Sequence, residues 1–329
     1  MTSRRTVLKA LTGATLLARP LAGLAQQPAK IARIGFLGLV SSTGWASRVE
    51  ALRAGLRDLG YVEGKNIVIE FRWADGKYDR LPNLAAELVR LNVDVLVTAG
   101  TPGTRAAKRA TSTIPVVMAV SGDAVATGLV ASLARPGGNI TGSTFFDPEL
   151  TAKRLELLKE AMPRVAQVAA LLNPDNPASI GPVLQAMQIA AKSMKVGLQQ
   201  FEVLGPNEFD SAFAAMANRR VDAVAVLDDG VFLANARAIA DVAAKNRLPL
   251  IGNKEFAEAG GLIGYGVNFL ELWRRAAYFV DRILKGAKPG DLPVEQATKF
   301  ELIINMKTAR ALGIKIPDSI LVRANKVIE

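Results

Sequence analysis

The chain has 329 residues, of which 50% are hydrophobic and 22% are charged, so it is long enough for two domains with large buried cores. It contains no cysteine and no histidine, which excludes disulfides, thiolate nucleophiles, histidine general bases and zinc sites of the usual ligand types. The formal net charge is +11, but the basic residues form no long run and no stripe interleaved with aromatics, so we expect no binding to nucleic acid. We also expect no cofactor and no metal ion.

The N-terminus resembles a twin-arginine export signal. Arg4 and Arg5 precede a weakly apolar stretch over residues 10–18, and a run of small residues suited to cleavage ends at Ala25. The apolar stretch is far shorter than the roughly 20 residues that span a bilayer. We therefore expect cleavage after Ala25, a periplasmic protein and no stable membrane insertion, with an ordinary Sec signal as the alternative.

The first half of the chain alternates strand and helix patterns. Strands are predicted over residues 31–40, 66–73, 93–99 and 114–120, and helices lie between them around residues 46–59 and 80–91. The strands are mostly apolar throughout, which is typical of a parallel sheet covered on both faces.

A stretch rich in proline and glycine, residues 135–147, follows and is interpreted as a hinge, with Ile140 and Thr141 crossing between sheets. The same order then returns, with strands predicted over 165–172, 198–203, 221–228, 248–251, 260–266 and 299–305 and helices over 180–196, 209–219, 269–286 and 306–312. Little periodicity is left in residues 316–329.

Segments of the two halves match in one shared order. Residues 93–100 correspond to 221–228, and residues 114–117 to 248–251. The sequence therefore predicts an α/β fold of two doubly wound parallel-sheet lobes joined by a multi-strand hinge. The expected division is a signal peptide at 1–25, lobe 1 at 26–141, lobe 2 at 142–266, and a C-terminal segment at 267–329 that crosses back between the lobes.

Ligands of open parallel sheets bind at the carboxyl ends of the strands, so the strand exits are the candidate site. In lobe 1 these exits carry hydroxyls, at residues 41–43, 100–102 and 121–123, which suit a carboxylate. In lobe 2 they carry amides and acids, at 173–174, 228–230 and 253–255, which suit an ammonium or hydroxyls. Helix capping is the alternative role for each of these side chains. Trp45, Phe145, Phe146, Phe232 and Tyr265 lie beside the exits and could stack on a ring.

Enzyme motifs are absent from the sequence. Residues 35–38 lack the glycine spacing of a dinucleotide-binding fingerprint, and no phosphate-binding loop with a glycine-lysine-serine ending occurs. We therefore do not expect an enzyme.

The sequence resembles ABC transporter substrate-binding proteins of the type I periplasmic fold, in the subfamily whose better-known members bind tryptophan or phenylalanine. The stretches that carry the resemblance span essentially all of the mature chain: residues 56–66, 135–142, 259–266, 291–296, 299–305 and 311–313. The resemblance implies a cleft that closes on a small molecule and a partner permease, whose transmembrane subunits work with a separate ATPase.

Carried over by position, the resemblance implies these cleft residues: Ser41, Ser42, Thr101, Ser121, Asn173, Asp228 and Tyr265. Asp228 is the expected partner of a ligand ammonium or hydroxyl, with helix capping as its alternative role. Amino acids, aromatic acids and other small organic acids all remain open as ligands.

Two other classes of protein remain as alternatives. One is a secreted enzyme on the same two-lobe scaffold. The other is a ligand-sensing regulator, which shares the fold but needs an N-terminal DNA-binding segment where this chain has the export signal.

Overall fold

The computed structural model describes residues 31–176 and 181–329. These residues form two α/β lobes, each built on a largely parallel sheet with helices packed against it, which confirms the predicted fold class. The predicted signal peptide and its cleavage site lie outside the described residues. So does Ile180, where the sequence predicts that a helix begins.

The strands, in chain order, are β1 (Ala32–Gly38), β2 (Ile67–Trp73), β3 (Val95–Ala99), β4 (Val116–Ser121), β5 (Ile140–Thr144), β6 (Gln167–Leu172), β7 (Gly197–Glu202), β8 (Ala223–Val226), β9 (Leu250–Gly252), β10 (Ile263–Val267), β11 (Glu295–Gln296), β12 (Phe300–Asn305) and β13 (Lys326–Ile328). The helices are α1 (Ala46–Asp58), α2 (Leu81–Arg90), α3 (Thr101–Ala110), α4 (Asp147–Ala161), α5 (Pro182–Ser193), α6 (Phe209–Asn218), α7 (Gly230–Ala234), α8 (Ala236–Lys245), α9 (Lys254–Ala259), α10 (Phe269–Leu284), α11 (Met306–Leu312) and α12 (Asp318–Leu321).

The first lobe is built on a six-stranded sheet in the order β11-β5-β4-β3-β1-β2. Its neighbouring strands pair in parallel, for example Ala32 with Ile67 at the start of β1 and β2. Helix α1 packs against α10, and α2 packs against α3. Ile34, Phe36 and Leu37 of β1 are fully buried, because a parallel strand covered on both faces leaves no side for water.

The second lobe is built on a seven-stranded sheet in the order β13-β12-β10-β9-β8-β6-β7. Neighbouring strands are again parallel, except that β12 runs antiparallel to β10. Helix α4 packs on α5, β9 and β10, so it belongs to this lobe.

The chain passes between the lobes at three places. Residues 145–146 join β5 to α4, Asn268 joins β10 to α10, and residues 297–299 join β11 to β12. Helix α10 and strand β11 therefore complete the first lobe although they lie late in the sequence, and β12 and β13 return to the second.

Two predictions from the sequence differ from the structure. The proposed crossing at Ile140 and Thr141 is wrong, because both residues belong to β5 inside the first sheet. Gly142 allows this strand to pack closely: its φ is +131°, and a Cβ there would overlap the backbone of Met118. The crossing follows at Phe145. The C-terminal tail, which showed no periodicity, contains α12 and the edge strand β13.

Candidate functional site

A cavity lies between the two lobes, beside the carboxyl ends of their parallel strands. In this form of the protein its volume is about 70 Å³. The first lobe contributes residues that follow β1, β3 and β4, and the second lobe contributes residues that follow β6 and β8. This is the edge at which the sequence predicts the ligand site.

The lobes contact each other around this cavity. The hydroxyl of Tyr78, in a 3-10 turn of the first lobe, donates to the carboxylate of Asp229 in the second. Gly230 packs so close to the first lobe that a Cβ there would lie 2.9 Å from Leu39 and 3.5 Å from Trp45. These contacts describe a closed form of the protein.

Two hydroxyls of the first lobe lie together in the cavity wall. Thr101 Oγ1 and Ser121 Oγ are 3.2 Å apart and buried. They meet because β3 and β4 are neighbours in the sheet and both end at this edge. Thr101 also begins α3 directly after Gly100, whose φ of +80° favours glycine. Hydroxyls beside the free N–H groups of a helix start suit a ligand oxygen.

Asp228 lines the cavity from the second lobe, and its charge is already compensated. Its Oδ2 lies 2.9 Å from Nη1 of Arg154, and both side chains are almost fully buried. The two groups are in contact without hydrogen-bond alignment. Arg154 Nε donates to the carbonyl oxygen of Tyr265 at 2.7 Å, and Asn253 Nδ2 lies 3.5 Å from Asp228 Oδ1.

Asp229 is the N-cap of α7 and is surrounded by donors. Its Oδ1 accepts from the backbone N–H groups of Val231 and Phe232 at 2.9 and 3.1 Å. Its Oδ2 accepts from Asn176 Nδ2 at 3.0 Å and from the Tyr78 hydroxyl. Burial raises the pKa of Asp229, and these hydrogen bonds oppose the rise.

Arg48 is a buried cation at the cavity wall. It lies in the first turn of α1 and is only 8% exposed. Its Nη2 is 3.7 Å from Glu255 Oε1 in the second lobe, and its guanidinium lies over the ring of Phe269, 5.5 Å from the centroid. Burial lowers the pKa of Arg48 and raises that of Glu255, and the attraction between the two opposes each shift.

Aromatic rings form much of the remaining wall. Trp45 and Trp273 meet edge to face with centroids 5.1 Å apart, and Phe145 and Phe269 do so at 6.1 Å. All four side chains are almost fully buried. Such a wall suits the flat or branched apolar body of a small molecule.

Charge in the cavity wall comes from Arg48, Asp228 and Asp229. In residues 31–176 and 181–329, no cluster of carboxylates is suited to hold a metal ion. Over the same ranges, no helix is both long enough and apolar enough to cross a membrane.

Comparison with known proteins identifies the family of the chain. Residues 33–328 match the family model described as ABC transporter substrate binding protein. The chain belongs to this family. Substrate-binding proteins of ABC importers bind a small molecule outside the cytoplasm and present it to a permease, so the predicted function of a solute receptor is confirmed.

Relatives of this substrate-binding protein are known from sequence and from structure. A "Tyrosine-binding protein" from Clostridioides difficile (strain R20291) is 28% identical over 283 residues, which are 86% of this chain and 81% of that protein. A conserved domain protein from Vibrio cholerae aligns with a TM-score of 0.83 at 29% identity, covering 91% of this chain and 100% of that chain. An ABC domain from Streptococcus pneumoniae in complex with L-Trp aligns with a TM-score of 0.81 at 29% identity, covering 90% of this chain and 99% of that chain.

Three of the predicted site residues lie in the cavity wall of this substrate-binding protein: Thr101, Ser121 and Asp228. The helix that follows Asp228 is capped by Asp229, so capping is not the role of Asp228. That Asp228 contacts the ligand stays a prediction, as it does for the two hydroxyls.

The other four predicted residues lie outside the cavity wall. Ser41 lines a neighbouring surface groove, and Ser42 is exposed. Asn173 is fully buried and its side chain contacts backbone groups of adjacent loops. Tyr265 packs its ring against Phe300, with centroids 6.0 Å apart. Their contribution to binding stays a prediction.

Several cavity residues were not predicted, because they do not lie at the strand exits. Tyr78 lies in a turn before α2, and Trp273 lies in a helix whose lobe the sequence does not reveal. Arg48 did carry a signal: it precedes Leu52 by four positions and so lies on the apolar stripe of α1. A charged residue in such a stripe is a candidate for a site.

Proposed function

We propose that this substrate-binding protein captures a small organic acid in the cavity between its lobes and delivers it to the transmembrane subunits of an ABC importer driven by a separate ATPase. The observation that carries the proposal is the cavity itself, which is walled by both lobes and contains both polar and aromatic side chains. The protein performs no chemistry on the ligand, so it is a receptor and not an enzyme.

The ligand class is the aromatic amino acids and related aromatic carboxylic acids. The four buried rings of the wall support an apolar ligand body, Thr101 and Ser121 are the proposed contacts of its carboxylate, and Asp228 is the proposed contact of a ligand hydroxyl. Two relatives support the same class, since one is called tyrosine-binding and another was solved with L-Trp.

The protein works in the periplasm, which it reaches by the twin-arginine route with cleavage after Ala25. The arginine pair at Arg4 and Arg5 and the short apolar stretch that follows support this route. The division into a signal peptide (1–25), two lobes and a C-terminal segment (267–329) that crosses back between the lobes belongs to the same proposal.

Closure of the lobes on the ligand is tested by a side chain that keeps them apart. Gly230→Val places methyl groups against Leu39 and Trp45 of the opposite lobe, whereas Gly138→Val adds a side chain where nothing lies within 4 Å. We expect Gly230→Val to abolish binding, measured by calorimetry against a panel of amino acids and aromatic acids, and Gly138→Val to bind like wild type. Equal binding by both variants would place the ligand elsewhere.

A further inference from the structure

Asp228, Asp229 and Arg48 of the cavity wall differ in how far other protein groups balance their charge and occupy their hydrogen-bonding sites. A carboxylate has two oxygens and about four acceptor sites, and an arginine has five N–H donors. A buried polar group that the protein leaves unsatisfied needs a partner from elsewhere. The charges and hydrogen-bonding sites that the protein leaves without a close partner therefore indicate which groups the ligand must carry.

Neither acid offers an unbalanced negative charge to a ligand cation. Asp229 accepts four hydrogen bonds, two at each oxygen, and is saturated. Asp228 Oδ2 has no aligned hydrogen bond to the described residues, but it lies 2.9 Å from Arg154 Nη1, so its negative charge is balanced by a cation that lies behind it, away from the cavity wall. A ligand ammonium group would therefore find no uncompensated negative charge among the described residues of the cavity wall.

The guanidinium of Arg48, in contrast, has no close partner in the part of the chain that the structure describes. Among the described residues it donates no hydrogen bond, and its ion-pair partner Glu255 is 3.7 Å away, too far for one. The carboxylate of Glu255 does not line the cavity, and its Oε2 is itself buried without a hydrogen-bond partner. A carboxylate bound side-on by the guanidinium would satisfy two of its donors at once.

We propose that Arg48 binds the carboxylate of the ligand and that the receptor selects for this group alone, so that an aromatic carboxylate without an ammonium is a full ligand. The inference rests on the proposed function and narrows its ligand class. Thr101 and Ser121 add neutral hydrogen bonds, but Arg48 supplies the charge. Phe269, which packs under the guanidinium, holds it at the wall.

The test compares four compounds that share one ring system: indole-3-propionate, its carboxamide, L-tryptophan and tryptamine. Calorimetry on the full mature protein should find that the propionate binds at least as tightly as L-tryptophan. The carboxamide should be about 30-fold weaker or more, the usual loss when one member of a buried charge pair is removed, and tryptamine should not bind.

Two variants separate recognition from structure. Arg48→Lys keeps the charge but loses the side-on geometry, and Arg48→Gln with Glu255→Gln removes both charges so that none is left unpaired in the core. Both should reduce the preference for the propionate over its carboxamide, and the double variant should abolish it. A purely structural role would weaken both compounds equally. Arg57→Gln, on the exposed part of the same helix, is the control.

The outcomes distinguish this inference from the function on which it rests. If L-tryptophan binds at least tenfold tighter than indole-3-propionate, or if the double variant keeps the preference for the acid, Arg48 is not the selector although the receptor function stands. If none of the four compounds binds, or only tryptamine does, the aromatic-acid ligand class is wrong as well.

Discussion

Tyr78→Phe removes a single oxygen atom that joins the two lobes. The Tyr78 hydroxyl donates to Asp229 across the cavity edge, and no change of side-chain shape accompanies its loss. A hydrogen bond to a charged acceptor contributes about 1.5–3 kcal/mol. Asp229 keeps its other three donors, so the lower part of that range applies, and a loss of about 1.5–2 kcal/mol corresponds to about 10- to 30-fold in affinity.

The affinity falls because the contact stabilises only the closed form. Without it, closing the lobes costs more free energy, and this cost is subtracted from the free energy of ligand binding. Calorimetric titration with the tightest compound of the acid panel measures this fall, while thermal unfolding of the ligand-free protein should be nearly unchanged. Tyr61→Phe is the matched control, because the Tyr61 hydroxyl donates to Asp281 at 3.0 Å within the first lobe. That variant should lose folding stability and keep its affinity.

The opposite pattern would refute the reasoning. If Tyr78→Phe bound like wild type but melted at a lower temperature, the contact with Asp229 would be present in the open and closed forms alike. The cavity edge would then not be a closing contact.

Three further predictions concern folding, acid stability and export. Gly142→Ala should lower the free energy of unfolding by at least about 2 kcal/mol in denaturant titration, because the new Cβ meets backbone at a φ reserved for glycine. Hydrogen bonds from Arg323 lower the pKa of Glu160, so its contribution to stability is fully present above the ordinary carboxyl pKa and is lost as the pH falls through the lowered pKa of the folded protein. Glu160→Gln should therefore melt lower than wild type at pH 7, and the difference should shrink as the pH falls below the ordinary carboxyl pKa. Replacing Arg4 and Arg5 by lysine should leave uncleaved precursor in the cytoplasm, and periplasmic mature protein would point to the Sec route.

Much of the fold could be predicted from the sequence, because the central strands are buried on both faces and the longer helices carry an apolar stripe. The edge strands β11 and β13 could not, since two or three residues show no period. Some residues of the candidate site could likewise be predicted from the sequence, and others could not. Thr101 and Ser121 follow strands and could be found from the sheet rule, whereas the pairing of Arg48 with Glu255 joins segments that only the closed lobes bring together.

The late position of α10 in the sequence has a consequence for biosynthesis. Trp273 and Phe279 complete the core beside Phe36, and α10 packs against α1. The apolar core of the first lobe therefore stays partly uncovered until these residues have been synthesised. A nascent chain that has emerged only as far as β10 exposes that apolar surface. Completion of the first lobe must therefore wait for almost the whole polypeptide, and a fragment ending at Gly266 should aggregate instead of folding as an independent domain.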